Sequence, residues 1–194
     1  MHRQRGGHSN KSQAGLSLTE LVVSMAVAAI LMGIGIPSYQ YVTYSNRVLT
    51  EVDSLRGDMQ YARSEAVKTG ATVTVCPSDP GQRHCIKSSA WDGGWIIFRD
   101  VNNDATVAAP GNILRVRAAF SVTPHDRFVA DSGLGYVSFD REGFTTSFPA
   151  TPSGFVTLRL HTTPDNPRWT RCLQIFSTGM TLTEKIDDRQ GNCS

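Results

Sequence analysis

The sequence predicts an α+β protein: a long N-terminal helix, part transmembrane and part amphipathic, packed on an antiparallel β-sheet head. Three observations predict it. Leu16 to Ile36 is an apolar run interrupted by one acid, Glu20. Val48, Val52, Leu55, Met59, Ala62 and Ala66 then recur at spacings of 4, 3, 4, 3 and 4, which is one stripe of a helix. After Gly70 short β-branched or alternating runs replace the helical period. Helix first and strands after is the order of an α+β chain. With 194 residues and 40% hydrophobic content, the chain is long and apolar enough for a real core, which excludes a disordered protein.

The first element is the apolar run. Its 21 residues would span about 31 Å as a helix, close to the ~30 Å of a bilayer core. Arg3, Arg5 and Lys11 precede it with no acid among them, so the N-terminus is expected in the cytoplasm and the rest across the membrane. An ordinary signal peptide would end in a small-residue cleavage site, but Gly35-Ile36-Pro37 follows the run. A plain anchor leaves Glu20 unexplained, since a carboxylate within a membrane helix costs about 2.5 kcal/mol or more. A third reading cuts the chain after Gly15, behind a short basic leader. Removing three of the 19 basic residues with that leader leaves 16 against 17 acidic ones, so the working chain would not be basic. Its overall charge then recruits no nucleic acid.

The second element is the amphipathic helix, to Thr69. Arg47, Glu51, Arg56, Asp58, Arg63 and Lys68 are expected on its other faces. Pro37, which lacks an N–H, is a place where the helix is expected to bend or loosen, and Gly70 is a natural residue just past the end. Eight strand segments follow: Ala71–Cys76, Trp95–Arg99, Ile113–Phe120, Arg127–Ala130, Leu134–Asp140, Phe155–Leu160, Arg171–Phe176 and Met180–Glu184. Turn clusters such as Asp92-Gly93-Gly94 separate them, and short connections favour antiparallel pairing.

Four cysteines, Cys76, Cys85, Cys172 and Cys193, contain no CxxC pair and no Cys/His cluster, which argues against zinc. An exported chain is expected to oxidise them. Short loops close at the lower entropic cost, so the expected pairs are Cys76–Cys85 and Cys172–Cys193.

Gly15 followed by Leu16-Ser17-Leu18-Thr19-Glu20 and an apolar helix resembles the leader signal of type IV pilins and type II secretion pseudopilins. Members usually carry Phe or Met after the cut; here it is Leu16. The stretches MQYARSEAVKTGATVTVCPS, WDGGWIIFRD, ILRVRAAF and RCLQIFSTGMTLTEK are similar to the GspH/FimT/FimU branch of minor pilins and pseudopilins. The resemblance implies a leader over residues 1–15, removed by prepilin peptidase between Gly15 and Leu16, with N-methylation of Leu16. It implies a transmembrane and assembly helix over 16–37 and a periplasmic head over 38–194, helical to 69 and β-rich from 70. Glu20 would act in assembly. The implied role is structural: a minor pilin in pilus assembly and initiation, or alternatively a type II secretion pseudopilin of the GspH type. The implied place is the inner membrane of a Gram-negative cell, single-pass, and then a pilus or pseudopilus fibre. Implied partners are other minor and major pilins or pseudopilins and the inner-membrane assembly platform.

No enzyme is expected. Among His84, His125 and His161 no HxxxH pair occurs, and no GxSxG elbow or phosphate-binding loop accompanies them. No cofactor and no metal are expected. Asp100-Val101-Asn102-Asn103-Asp104 begins like a calcium loop, but Ala105 and Gly111 stand where that loop wants Gly and Glu, so a polar turn is expected. A further alternative implied by the resemblance is a DNA-binding competence pilin, since some FimT-type pilins bind DNA through a basic C-terminal motif. Here the corresponding Thr178 to Glu184 has no arginine, leaving Arg168, Trp169 and Arg171 as the weaker candidates for cation and stacking contacts. Their alternative is a strand entry with solvated arginines, and nucleic acid is held unlikely.

Overall fold

The computed structural model describes residues 17–120, 126–130, 133–147, 154–162, 168–186 and 193, apart from the side chains of 34–38 and 40. The chain divides into two compact units, 1–42 and 43–194, and one helix, α1 (Leu18–Thr69), contributes to both. Its 52 residues continue through Pro37, where the sequence suggested a bend or loosening, and through Gly57. A proline removes one backbone bond, and within a helix this long its neighbours hold the rest. Gly70 ends α1 with φ at +66°, and its N–H returns to the Ala66 carbonyl at 2.9 Å. That left-handed residue closes the last turn without the Cβ cost another residue would carry.

The second unit contains two four-stranded antiparallel sheets. β1 (Val73–Pro77), β2 (Gly94–Arg99), β3 (Ile113–Ala118) and β5 (Val137–Phe139) form the first, in the order β3-β2-β1-β5. β4 (Arg127–Ala130), β6 (Phe155–His161), β7 (Arg171–Phe176) and β8 (Thr181–Lys185) form the second, in the order β4-β6-β7-β8. Each of the eight segments expected from sequence holds one strand. The sheets are linked where Trp91 N–H donates to Phe128 O at 2.6 Å and Ala130 N–H to Ser89 O at 2.9 Å.

All six residues of the α1 stripe are fully buried. They share one core with Val73, Val75, Trp95, Ile97, Val137 and Phe139 of the first sheet and Phe128, Val156, Leu158, Leu160, Leu173 and Ile175 of the second. The first sheet is covered on both faces. Its other face packs Cys76, Ile96 and Phe98 against Cys85, Val107, Ile113 and Tyr136 in a smaller core. That double cover is why β1 and β5 are buried at every position instead of alternating.

The structure joins Cys76 to Cys85 and Cys172 to Cys193, with Cα separations of 5.7 and 5.9 Å. The first closes the loop that covers the outer face of β1, and the second ties the chain end to β7. Each such bridge contributes roughly 2–4 kcal/mol on a chain-entropy account.

One helix residue departs from the sequence reading. Asp58, expected on a face away from the apolar stripe, is fully buried. Its carboxylate accepts from Trp95 Nε1 at 2.9 Å, Arg115 Nη1 at 2.7 Å and Arg117 Nε at 2.7 Å. Trp95 and Arg117 are register partners, as are Ile97 and Arg115, so β2 and β3 present these groups on one face. Arg115 also lies over the Tyr61 ring, 3.9 Å from its centroid. Desolvation pulls the Asp58 pKa up, but the hydrogen bonds from Arg117, Arg115 and Trp95, with the Arg117 charge, hold it below the usual value. A depressed folded-state pKa means stability present above the unfolded value and lost as pH falls through the folded one.

Asp58→Asn is expected to destabilise the protein by about 1–2 kcal/mol, because two guanidinium groups lose their counter-charge, a value reduced from that of a fully buried pair since both arginines are over a third exposed. Urea unfolding at neutral pH measures it, and the gap between the two proteins should close as pH falls toward 3. Equal midpoints at neutral pH would show that the carboxylate is not what holds β3 to α1.

Candidate functional site

In the first unit, α1 begins at Leu18, with the Leu21 N–H bonded to Ser17 O at 3.1 Å. Ser17 Oγ and Thr19 Oγ1 lie 2.8 Å apart, and Ser24 Oγ donates to Leu21 O at 2.9 Å. Glu20 stands exposed in this first turn, where the unpaired N–H groups favour a negative charge. Around it α1 exposes large apolar side chains: Leu18, Leu21, Val22, Val23, Met25, Val27, Ile30, Leu31 and Met32 are each between 47% and 80% exposed. An apolar surface this continuous is not stable against water, at about 25 cal/mol for each Å² left uncovered. It calls for lipid or for other helices.

Among the side chains described, no helix is long and apolar enough to cross a membrane. The run expected from sequence reaches past them at both ends, at Leu16 and over residues 34–36. Gly15 and Leu16 themselves lie outside the described residues.

The DNA candidates in the second unit are mostly spent on the fold. The Trp169 ring stacks on Tyr44 of α1, centroids 4.7 Å apart and planes within 10°. Arg171, expected to be solvated, is buried at the start of β7 and donates to the carbonyls of Arg168 and Thr170 at 3.2 and 3.1 Å. Arg168 alone of the three is exposed. Trp169 and Arg171 thus already hold partners within the fold.

Beside that stack lies a charged cluster that the sequence did not announce. Arg47 lies over the Tyr44 ring and grips Asp126 with both ends of its fork, at 2.7 and 2.8 Å. Asp126 is fully buried, just before β4. Glu51, one turn after Arg47, stands partly buried near the same carboxylate, and its Oε2 has no hydrogen-bond partner among the described residues. Burial first, then the Asp126 charge and hydrogen bond, push the Glu51 pKa up to about 7, against the pull of Arg47.

The Asp100 turn is polar. Asp100 is buried, and its carboxylate takes the N–H groups of Asp104 and Ala105 and the Thr74 hydroxyl. Among the described residues no group of three His, Cys, Asp or Glu is arranged to hold a metal ion. His84 sits in the Cys76–Cys85 loop, its N–H bonded to Asp79 Oδ1 at 2.7 Å, and His161 ends β6. His125 lies outside the described residues.

Comparison with known proteins follows this geometry. Residues 51–179 match the family described as type II transport protein GspH, and residues 10–36 match the prokaryotic N-terminal methylation motif. In fold the chain is similar to the type IV minor pilin FimU of Pseudomonas aeruginosa (strain PAO1) in two crystal forms. The first has a TM-score of 0.55 and 22% identity, covering 72% of this chain and 89% of that one. The second has a TM-score of 0.51 and 21% identity, covering 70% and 91%. No curated protein matches the chain.

Glu51 generates a test of the cluster. Its folded-state pKa is raised above the unfolded value of about 4.5, so the native state holds that proton longer. The resulting stability is full below about pH 4.5 and is lost as pH rises through about 7. Glu51→Gln, neutral throughout, is expected to gain about 1 kcal/mol over the parent at pH 8 and nothing at pH 4, a value reduced for solvent screening at a half-buried site. Thermal melts of both proteins at the two pH values measure it.

Proposed function

The chain belongs to the family of the type II transport protein GspH, and we propose that within it the protein works as a minor type IV pilin in pilus assembly and initiation. Its role is structural, not catalytic. The observation that carries this reading is the exposed apolar surface of α1 with one acid, Glu20, in its first turn, on a chain whose residues 10–36 match the N-terminal methylation motif. Prepilin peptidase cuts between Gly15 and Leu16, and the new Leu16 amine is methylated. The segment over 16–37 then holds the protein in the inner membrane with the head in the periplasm, until the assembly platform passes it to a fibre.

Glu20 sets the axial register in that fibre. Apolar helix surfaces are interchangeable along their length and slide at little cost. A carboxylate that must meet the N-terminal ammonium of an adjacent subunit is not, because the attraction in low dielectric is strong and the unpaired charges are strongly disfavoured. The partners are accordingly other minor and major pilins. The family match itself favours a second reading, a type II secretion pseudopilin whose partners are the other pseudopilins. Which pilins co-purify with the protein from its own membranes distinguishes the two.

Two measurements test this function. Intact-mass analysis of the membrane-extracted protein is expected to show a chain beginning at a methylated Leu16, whereas an uncut chain would end the pilin reading. Glu20→Ala is expected to insert and to be cut normally, but to be depleted at least about tenfold from sheared fibres on loss of a desolvated ion pair. Immunoblots of fibre and membrane fractions read it, and normal amounts in the fibre would remove Glu20 from register.

A further inference from the structure

The outer face of the first sheet carries a polar groove that the assembly role does not use. It is lined by Thr72, Asn103, Tyr136, Ser138, Thr146 and Ser147, with a volume of about 330 Å³. A second groove of similar size continues from it, sharing Thr72 and Asn103. Neither the apolar surface of α1 nor Glu20 takes part in it.

The floor of the groove has a defined hydrogen-bond polarity. Thr74 Oγ1 donates its single proton to Asp100 Oδ2 at 2.9 Å. Ser138 Oγ lies 2.7 Å from the same Thr74 oxygen, so with that proton committed Ser138 is the donor in this contact. Asp100 acts as an acceptor at both oxygens, taking Ala105 N–H at Oδ2 and Asp104 N–H at Oδ1, so it supplies no proton that would reverse the chain. Ser147 Oγ accepts from Ser138 N–H at 2.9 Å. Ser138 therefore turns its proton into the protein and offers only lone pairs to the groove, while the Ser147 hydroxyl, long at 3.4 Å from Tyr136 O, can serve a ligand either way. Ser138, 4% exposed, cannot reorient without stranding Thr74.

A ligand must therefore bring donors. The rim adds groups that both donate and accept, namely the Thr72 and Thr146 hydroxyls and the Asn103 amide, held by a turn in which Asn103 has φ at +56°. No charged side chain lines the first groove, and the nearby Lys87 ammonium is already bonded to Asp104 O at 2.8 Å. Arg99 and Asp100 line the second, Arg99 paired with Glu65 at 3.4 Å and Asp100 engaged by Thr74, Asp104 and Ala105. An anion, which brings acceptors alone, would leave Ser138 on the floor unused and would be served only by Ser147 and the rim. The Tyr136 ring supplies an apolar wall. We propose that this groove binds a sugar unit of a neutral glycan, with ring hydroxyls donating to Ser138 and Ser147 and a second unit extending past Thr72 and Asn103. Its volume stands at the lower end for ligand sites, which suits one pyranose in each groove.

Saturation-transfer NMR on the full chain in zwitterionic lipid nanodiscs tests this, with cellobiose and N,N′-diacetylchitobiose as neutral probes and digalacturonate and triglycine as controls. Transfer to the ring protons of a neutral disaccharide is expected, with little to either control. Asn103→Asp and Thr146→Val, both at exposed positions on separate turns, are each expected to weaken the affinity about five- to tenfold, as for one lost hydrogen bond. Absence of transfer from both disaccharides, an equal response to digalacturonate or triglycine, or unchanged affinity in the two variants would overturn the assignment. None of these outcomes bears on Leu16 or Glu20, so the pilin reading stands or falls separately.

Discussion

The arrangement of residues 43–194 depends on one apolar stripe of α1. Val48, Val52, Leu55, Met59, Ala62 and Ala66 are all removed from water, and both sheets contribute to the core that removes them. A four-stranded sheet alone buries one face and leaves the other wet. Here a single helix supplies the missing cover to two sheets at once. Small Ala62 and Ala66 and larger Leu55 and Met59 share that core with Trp95, Phe120 and Phe128, whose rings pack on one another.

Three fully or nearly fully buried carboxylates then tie the layers, each satisfied differently. Asp58 on α1 is held by an indole and two guanidinium groups from β2 and β3. Asp126, before β4, is gripped by the fork of Arg47. Asp100, after β2, is held by the backbone amides of Asp104 and Ala105 and the Thr74 hydroxyl. Unpaired, each would carry a desolvation cost of several kcal/mol. Paired, each defines the register of a helix, strand or loop that apolar contact alone leaves free to slide. The same logic, transferred to a fibre, underlies the role proposed for Glu20.

α1 therefore carries two chemistries along its length. Residues 48–66 have a narrow apolar stripe, and its partners lie within the chain. Residues 18–32 expose large apolar side chains, with Glu20 among them, and are the surface on which the proposed assembly role rests. The bridges at Cys76–Cys85 and Cys172–Cys193 add covalent ties where the core is thin, at the outer face of β1 and at the chain end.

Much of this was legible in the sequence, because it rests on local pattern. The α+β class, the helix stripe, the eight strand segments, the cysteine pairs and the isolated Glu20 follow from period, spacing and turn chemistry, which act over a few residues. The tertiary structure decided what depends on residues far apart. Asp58 looked like any helix-surface acid, and it is buried because Arg115 and Arg117, 57 and 59 residues later, arrive on the same side of a bulged strand pair. Trp169 and Arg171 looked like a contact for bases, but Tyr44 and two nearby carbonyls take them first. The Ser138–Thr74–Asp100 chain joins two strands and a turn, and its direction exists only once all three are side by side. Local propensity reads one residue at a time. Burial, counter-charge and proton direction belong to groups that only folding brings together.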